Sequence, residues 1–417
     1  MVNETRPDTL RVPADPAGPS GAAVRRARWA ITAVFFINGL MLATYIVRIP
    51  SIKADLALTD ARLGLVMTCF GTAALLTMQF VGPLVAGFGS VRVIRMTLLL
   101  MPLVLVGIGA AGNVVVLAVG VVLLGMVHGT LDVAMNAHAV TVERLRGRPM
   151  MNSCHAAWSI SAVIASASGA SVIRAGIPTL RQFLVVGGVL LIAGLVASLW
   201  LLPASVDRVR RAPDGSKPPG AGWRSGWTGP VLIFGLMGLT IMLGEAAVVS
   251  WSGVFLHEDR GATLAVAALG YTAFTVFQTA GRLFGDRLTA RFGNVSMFRA
   301  SGVIAVAGLL VVVLGRSQQV TIVGFAILGA GMSVLVPLIF SAVGAAGGDG
   351  PGAATFVSRV TTFTYAGILA GPALIGWFAQ AIGMTWTFAA IIPLMVGVVL
   401  AARVMGGADR DRQAATG

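Results

Sequence analysis

Three polar side chains follow one another inside a long apolar stretch, where they could bind a proton. His128, Asp132 and Asn136 are spaced four residues apart, so a helix would place them in one stripe. An imidazole one turn from a carboxylate can change its charge state when water reaches it from either side. The alternative is that both groups only hydrogen-bond neighbouring helices. Because ionisable groups inside apolar segments usually mark functional sites, we predict that His128 and Asp132 couple protons and that Asn136 lines a substrate cavity.

A second carboxylate lies in the other half of the chain. Glu245 is flanked by Gly244 and Ala246, small residues that allow a helix or a substrate to approach closely. It could take up a proton, pair with a cationic substrate, or remain protonated as a static hydrogen-bond donor. We predict a role in proton coupling for Glu245 as well.

Arg359 lies a few residues inside another apolar stretch, and its guanidinium there needs a carboxylate or an anionic substrate as partner. Snorkelling to the surface or a gate salt bridge is the favoured interpretation, with direct substrate contact as the alternative. Other polar or aromatic residues within apolar stretches could line the same cavity. The predicted substrate cavity comprises Asn38, Asn136, Trp251, Gln278 and Arg359.

The elements that must position these residues are membrane-spanning helices. The 417 residues are 56% hydrophobic and only 11% charged, whereas ordinary soluble domains contain about 25% charged residues. Apolar runs of about 20 residues recur along the chain, which is the length that crosses a bilayer as a helix. The runs are continuously apolar rather than alternating, which excludes the strands of a barrel. A water-soluble protein is therefore excluded.

Twelve such spans can be counted, and the longest internal polar stretch divides them six and six. We predict them near residues 29–49, 63–88, 94–111, 114–140, 151–173, 181–202, 229–256, 264–288, 297–315, 320–345, 353–379 and 384–405. The predicted domains are a disordered tail (1–27), a first half (28–203), a linker (204–228), a second half (229–405) and a short tail (406–417). The fold class is therefore an all-α membrane protein with two six-helix pseudo-repeats.

The basic residues indicate which side of the membrane each loop faces. Of the 30 Lys and Arg residues, 21 fall on the side of the N-terminus in this arrangement, which predicts that both termini are cytoplasmic. The net charge of +14 lies in these short loop clusters, so we expect the lipid bilayer and no nucleic acid as partner. The alanine-, glycine-, valine- and arginine-rich composition favours a bacterial inner membrane.

A shift of the chain by about 200 residues superposes the two halves, and it aligns Gly82-Pro83-Leu84 with Gly281-Arg282-Leu283. The third, sixth, ninth and twelfth spans have almost no polar residue in their middles, which predicts that they face lipid.

With its two repeats, basic central linker and glycine-rich turns, the chain resembles a major facilitator superfamily transporter. The superfamily's turn signature is G-x-L-x-D-R-x-G. The first copy here runs from Gly82 to Gly89 with Ala86 in place of the aspartate, while the second retains Asp286 and Arg287. The resemblance implies that these turns latch a cytoplasmic gate. The predicted gate residues are Gly82, Gly89, Arg282, Asp286 and Arg287.

The stretch from Asp132 to Arg144, with Gly147-Arg148-Pro149 and His155, resembles a poorly characterised prokaryotic branch of the superfamily. The glycine-proline motif of drug antiporters is absent from the fifth span, which reads Ser166 to Ser171. The resemblance therefore implies a transporter but no particular substrate.

We accordingly expect a secondary transporter and not an enzyme. It would act as a monomer, move a small molecule by alternating access with protons as coupling ion, and favour export slightly on superfamily analogy. No cofactor is expected. Nor is a metal expected, because the spacing of the histidines matches no compact metal signature. His138 and His155 flank the short basic loop between the fourth and fifth spans, where we expect an interfacial structural role for both. The alternatives are an uncoupled facilitator, for example of a sugar-like solute, and a non-transporting membrane sensor.

Overall fold

The computed structural model describes residues 19–58, 60–206, 226–346 and 351–406. This part of the chain is helical with short turns, as predicted. The α-helices in chain order are α1 (Gly21–Asp55), α2 (Asp60–Phe88), α3 (Ser90–Gly109), α4 (Val114–Arg146), α5 (Met151–Arg174), α6 (Thr179–Ser198), α7 (Gly229–Val254), α8 (Leu264–Phe292), α9 (Asn294–Leu314), α10 (Gln318–Met332), α11 (Leu335–Ala346), α12 (Pro351–Ile382) and α13 (Met384–Ala401).

These helices form twelve spans, because α10 and α11 are two parts of one. The interruption at Ser333 and Val334 lies just before Pro337, which has no N–H group to donate to the carbonyl of Ser333. Ten spans among the described residues are long and apolar enough to cross a membrane by length and composition. The two that fall below this threshold, α5 and α8, pack against each other between the halves. Buried polar residues of these two helices include Asn152 and Ser161 of α5 and Gln278 and Arg282 of α8.

The two halves, α1–α6 and α7–α13, are structural repeats. Gly89 and Gly293 both have φ +81° and cap the following helix, α3 or α9, in the left-handed region that favours glycine. This correspondence corrects the alignment predicted from sequence, which paired Gly82 with Gly281. In the register set by the two caps, Gly82 instead corresponds to Asp286.

The four apolar spans pack in pairs at the outside of each half, α3 on α6 and α9 on α13. They expose large apolar side chains such as Leu103, Ile192, Val303 and Leu400. This arrangement agrees with the predicted lipid-facing role of every third span.

The start of α1 corrects one predicted boundary. The helix begins at Gly21, where the Ser20 Oγ accepts a hydrogen bond of 3.3 Å from the Ala23 N–H, so a disordered tail is wrong for residues 21–27. The rest of that tail (1–18), most of the predicted linker (207–225) and the end of the chain (407–417) lie outside the described residues.

We call the side of the bundle at which α1 begins the basal side. The start of α1 lies beside the end of α4, and the start of α5 contacts the end of α8. The end of α13 lies beside the start of α9. The start of α1 and the end of α13 therefore both lie on the basal side.

Candidate functional site

A central cavity of about 150 Å³ lies between the two halves. Helices α1, α4 and α5 contribute to its wall from the first half, and α7, α8, α11 and α12 from the second. Its charged and polar lining residues are Asp132, Asn136, His155, Glu245, Arg282, Thr364 and Tyr365, and its apolar and aromatic ones include Phe35, Trp158 and Phe340. The cavity thus offers both hydrogen-bonding groups and aromatic rings to a small molecule.

The two predicted proton carriers meet in this cavity. Asp132 comes from α4 in the first half and Glu245 from α7 in the second. Among the described residues, no side chain or backbone group forms a hydrogen bond with either carboxylate. Both groups therefore remain available to a proton or a substrate.

Arg282 lines the same cavity, although we predicted it as a gate residue from the turn signature. Its Nε donates to the carbonyl of Ser333 at 3.3 Å, the acceptor that Pro337 leaves without its helical donor. Its Nη1 donates to the Ser159 Oγ at 2.7 Å across the boundary between the halves. Glu245 is near enough to interact electrostatically with this guanidinium. Arg282 therefore supplies the positive charge of the cavity.

His128 is buried outside the cavity and joins the halves through hydrogen bonds. Its Nδ1 lies 3.0 Å from the Asn38 Oδ1, and its Nε2 lies 2.9 Å from the Tyr365 hydroxyl. The Asn38 amide nitrogen donates in turn to the Met135 Sδ, so its oxygen is the acceptor for the imidazole. The imidazole therefore donates from Nδ1 to Asn38, and its Nε2 shares a hydrogen bond with the Tyr365 hydroxyl, which can act as donor or acceptor.

His155 also lines the cavity, where sequence reasoning expected an interfacial residue beside a basic loop. It is stacked on the Phe340 ring, with centroids 6.0 Å apart, and meets Phe35 edge-on. Its Nε2 is enclosed without a hydrogen-bond partner in the described structure. The expected position is therefore corrected, because the first turn of α5 faces the other half rather than the membrane surface.

Four of the five predicted cavity residues lie elsewhere. Asn38 is fully buried against His128, and Gln278 is buried with its Nε2 unpaired within the described chain. Trp251 donates from its indole to the carbonyl of Pro372 at 3.1 Å. Arg359 lies between α12 and α2. Of that prediction, only Asn136 lines the cavity, because a linear sequence does not tell which face of a helix meets its neighbours.

A second group of contacts closes the basal side between the halves. Asp286 at the end of α8 accepts hydrogen bonds from the backbone N–H groups of Asn152 and Ser153, at 3.1 and 3.0 Å, and from both side chains. Glu143 accepts from the N–H groups of Met150 and Met151, at 2.8 and 3.0 Å. The first four N–H groups of a helix have no partner within it, so two carboxylates, one from each half, satisfy the start of α5.

The buried guanidinium of Arg359 belongs to this basal closure. Its Nη1 donates to the backbone and side-chain oxygens of Gln79 on α2, at 3.0 and 2.9 Å, and it lies 4.9 Å from the ring of Trp227. Beside it, Gly82 has no side chain, so α2 approaches the backbone of Thr355 on α12. In the first copy of the turn, Gly82 therefore allows close packing of α2 against α12. In the second copy, the carboxylate of Asp286 instead accepts hydrogen bonds from the start of α5.

Comparison with known proteins identifies the family. The family model described as "Major Facilitator Superfamily" matches residues 31–347 and 234–416, which together cover most of the chain. The chain belongs to the Major Facilitator Superfamily. It is therefore a membrane transporter by family and fold, as the resemblance implied.

Relatives and solved structures match nearly the whole chain. An uncharacterised transporter of Sinorhizobium fredii is 33% identical over 86% of this chain and 92% of its own length. A protein of Rhizobium meliloti named membrane protein MosC is 34% identical over 89% of this chain and 88% of its own. The crystal structure of the transporter FucP in its outward conformation matches with a TM-score of 0.79 and 19% identity, over 92% of this chain and 99% of that one.

The superfamily transporter thus has two sites that join its halves, the central cavity and the basal closure. Sequence reasoning missed Gln79, Glu143, Trp158 and Tyr365. Gln79 is the one amide in the apolar stretch from Leu75 to Leu84, a signal that could have drawn attention to it. Glu143 gave no such signal, since a carboxylate near the end of a span resembles an ordinary loop charge.

Proposed function

We propose that this transporter is a proton-coupled secondary transporter in which Asp132 and Glu245 carry the coupling proton. It would move a small molecule across the bacterial inner membrane by alternating access between the two halves. One observation carries the proposal. Two carboxylates from opposite halves line a single cavity, and neither has a hydrogen-bond partner within the described protein.

The charge balance of the cavity gives the physical basis for coupling. With both carboxylates ionised and Arg282 protonated, the cavity has one uncompensated negative charge among apolar side chains. An uncompensated charge enclosed in such surroundings is costly, and uptake of a single proton removes it. A conformation that closes the cavity off from water is therefore favoured when the net charge of the cavity is zero. Uptake of the proton and the change of access are linked for this reason.

The lining suggests the kind of substrate. Asn136, Thr364 and Tyr365 offer hydrogen bonds, while Trp158 and Phe340 offer flat apolar faces. A small polar metabolite, a sugar or an amphipathic compound could bind to such groups. A fucose:proton symporter shares this fold at 17% identity, which supports the compatibility of the fold with proton coupling but carries no substrate. We propose export as the direction on superfamily analogy alone.

The orientation and oligomeric state are part of the same proposal. The excess of basic residues on the basal side supports a cytoplasmic location for that side and for both termini. Reporter fusions at successive loops would test this orientation. Activity at a basal loop of a reporter that works only outside the cytoplasm would contradict it. All the lining residues of the cavity come from the two halves of one chain, which supports action as a monomer.

The test is transport in inverted membrane vesicles with a panel of metabolites and drugs, with and without an imposed proton gradient. Asp132→Asn and Glu245→Gln each remove one titratable group while keeping the size of the side chain. The matched control is Glu258→Gln, which changes an exposed carboxylate beyond α7. We expect gradient-driven movement of a substrate that either cavity variant abolishes and the control retains.

Two other outcomes would reject proton coupling. Movement that ignores both the gradient and the variants would indicate an uncoupled facilitator. If no compound in the panel moves while a compound binds to the purified protein, a sensor becomes the better proposal.

A further inference from the structure

We propose a second binding site on the basal side, one that takes the phosphate headgroup of an anionic phospholipid. A pocket of about 620 Å³ opens between the start of α1 and the end of α4. Its wall contains Arg25, Arg28, Arg146 and Arg148, and we call it the arginine pocket. This site is separate from the central cavity and does not depend on the proposed transport mechanism.

Four guanidinium groups converge there without an equal number of carboxylates. Arg146 experiences the like charges of both Arg28 and Arg148. The carboxylates that also act on Arg146 are Asp286 and Glu143, and both already accept hydrogen bonds at the start of α5. An arrangement of mutually repelling cations around a concave pocket favours a bound anion, and guanidinium groups suit the oxygens of a phosphate.

The donors in the pocket are not all engaged by the protein. The Nε of Arg28 is enclosed without a hydrogen-bond partner among the described residues. Arg146 uses its Nη1 for the carbonyl of Pro149 at 3.2 Å, which fixes the guanidinium at the rim of the pocket. An anion in the pocket would add an acceptor for the guanidinium groups that line it.

The surroundings favour a lipid over a free anion. Trp29, which is 67% exposed, lines the arginine pocket and also an apolar groove of about 410 Å³ between α1 and α6. The groove is walled by Ala30, Ala33, Ala197 and Trp200, and Arg26 also lines it. Tryptophan side chains on membrane proteins concentrate at the level of the lipid headgroups. A polar pocket that continues into an apolar groove at this level matches a headgroup followed by an acyl chain.

The pocket also adjoins the basal closure. Arg28, Arg146 and Arg148 line a neighbouring cavity together with Asp286 and Arg287 of the second half. A bound headgroup would therefore offset the repulsion of basic groups that meet where the two halves close.

The experiment measures the melting temperature of the purified full-length protein in detergent micelles. The ligands are a short-chain phosphatidylglycerol, a short-chain phosphatidylcholine and inorganic phosphate, each titrated over the same range. We expect only phosphatidylglycerol to raise the melting temperature of the unmodified protein. A variant with Arg28→Gln, Arg146→Gln and Arg148→Gln should need a roughly 100-fold higher concentration, because each arginine near an anionic lipid surface contributes about a fivefold gain in affinity.

Two further variants separate this site from general effects. The matched control combines Arg92→Gln, Arg299→Gln and Arg403→Gln, which removes three exposed basal arginines away from the pocket and should respond as the unmodified protein does. Arg148→Glu reverses one exposed charge at the rim of the pocket, so it should weaken the response and preserve the fold. It keeps the proposal testable if the triple variant fails to fold.

Three results would overturn the proposal. Equal stabilisation by phosphatidylcholine would indicate a nonspecific lipid effect. Equal stabilisation by inorganic phosphate would indicate a free-anion site without a lipid. Loss of the response in the control variant, or its retention in Arg148→Glu and in the folded triple variant, would exclude the arginine pocket as the site.

Discussion

Asp286 is predicted to bias the transporter towards the conformation that is closed on the basal side. Its carboxylate belongs to α8 in the second half, and its partners, Asn152 and Ser153, belong to α5 in the first half. When the basal side opens, the two helices must separate and these hydrogen bonds are lost. Substitution Asp286→Ala removes them in the closed conformation and leaves the open one unaffected.

The size of the effect follows from the two backbone N–H groups that lose their acceptor. A hydrogen bond to a charged group contributes about 1.5 to 3 kcal/mol. Since water solvates the same groups in the open conformation, the lower value applies to each, or about 3 kcal/mol for the pair. That free energy is equivalent to a roughly 100-fold change in the ratio of open to closed molecules. Asp286→Asn keeps one acceptor oxygen and should have a smaller effect.

Alkylation of a thiol buried in the closed basal side measures this ratio. Val140 on α4 is 3% exposed and faces Gly344 of the other half, so Val140→Cys reacts with a maleimide only when the halves separate. The native thiols are first removed by Cys69→Ala and Cys154→Ala. We expect Asp286→Ala to raise the alkylation rate by up to about 100-fold, in line with the population shift.

The control is Asn113→Ala, which removes a helix cap of the same kind within one half. The Asn113 Oδ1 accepts from the N–H groups of Val115 and Val116, both at 3.0 Å. Its loss should lower stability by about 1 kcal/mol without opening the basal side. An unchanged rate in Asp286→Ala, or an equal rise in the control, would refute the assignment of Asp286 as a latch.

Three further predictions concern contacts between the halves. Tyr365→Phe leaves the Nε2 of the buried His128 without its hydrogen-bond partner and should lower the melting temperature by the equivalent of about 1 to 3 kcal/mol; an unchanged melting temperature would mean that this hydrogen bond contributes nothing. Arg359→Met and Gln79→Leu should each destabilise the protein, and their double variant should show a coupling energy of about 1 kcal/mol or more, whereas additive effects would contradict the contact. Gly344→Val adds a side chain where Val140 already packs and should increase basal opening in the alkylation assay, while Gly397→Val, where the added Cβ meets open space, should not.

The number and type of the elements could be predicted from sequence because the bilayer imposes them. A chain in lipid must satisfy its backbone hydrogen bonds within each span, so long apolar runs predict helices with little ambiguity. The interruption between α10 and α11 could also be anticipated from Pro337. The boundaries were less certain, since α1 and α4 extend beyond the apolar runs with polar turns whose helical state depends on packing.

The candidate site was predicted only in part. Asp132 and Glu245 could be identified singly, because a carboxylate inside an apolar run is costly and rare. Arg282 was predicted from a turn signature as a gate residue, yet the free carbonyl of Ser333 draws its guanidinium to the cavity wall. His155 was expected at the interface, and its contact with Phe340 depends on how α5 meets α11.

The sequence by itself determined that this protein is a helical membrane protein with two related halves and a few costly charges inside its spans. Hydropathy and charge are local properties, and the bilayer converts them directly into spans and sides. Only the tertiary structure decided which of those charges meet. Asp132 and Glu245 share a cavity, Asp286 binds the start of α5, and Arg359 binds Gln79. Each of these meetings joins residues far apart in the chain, and it depends on the rotation and packing of whole helices, which no local pattern encodes.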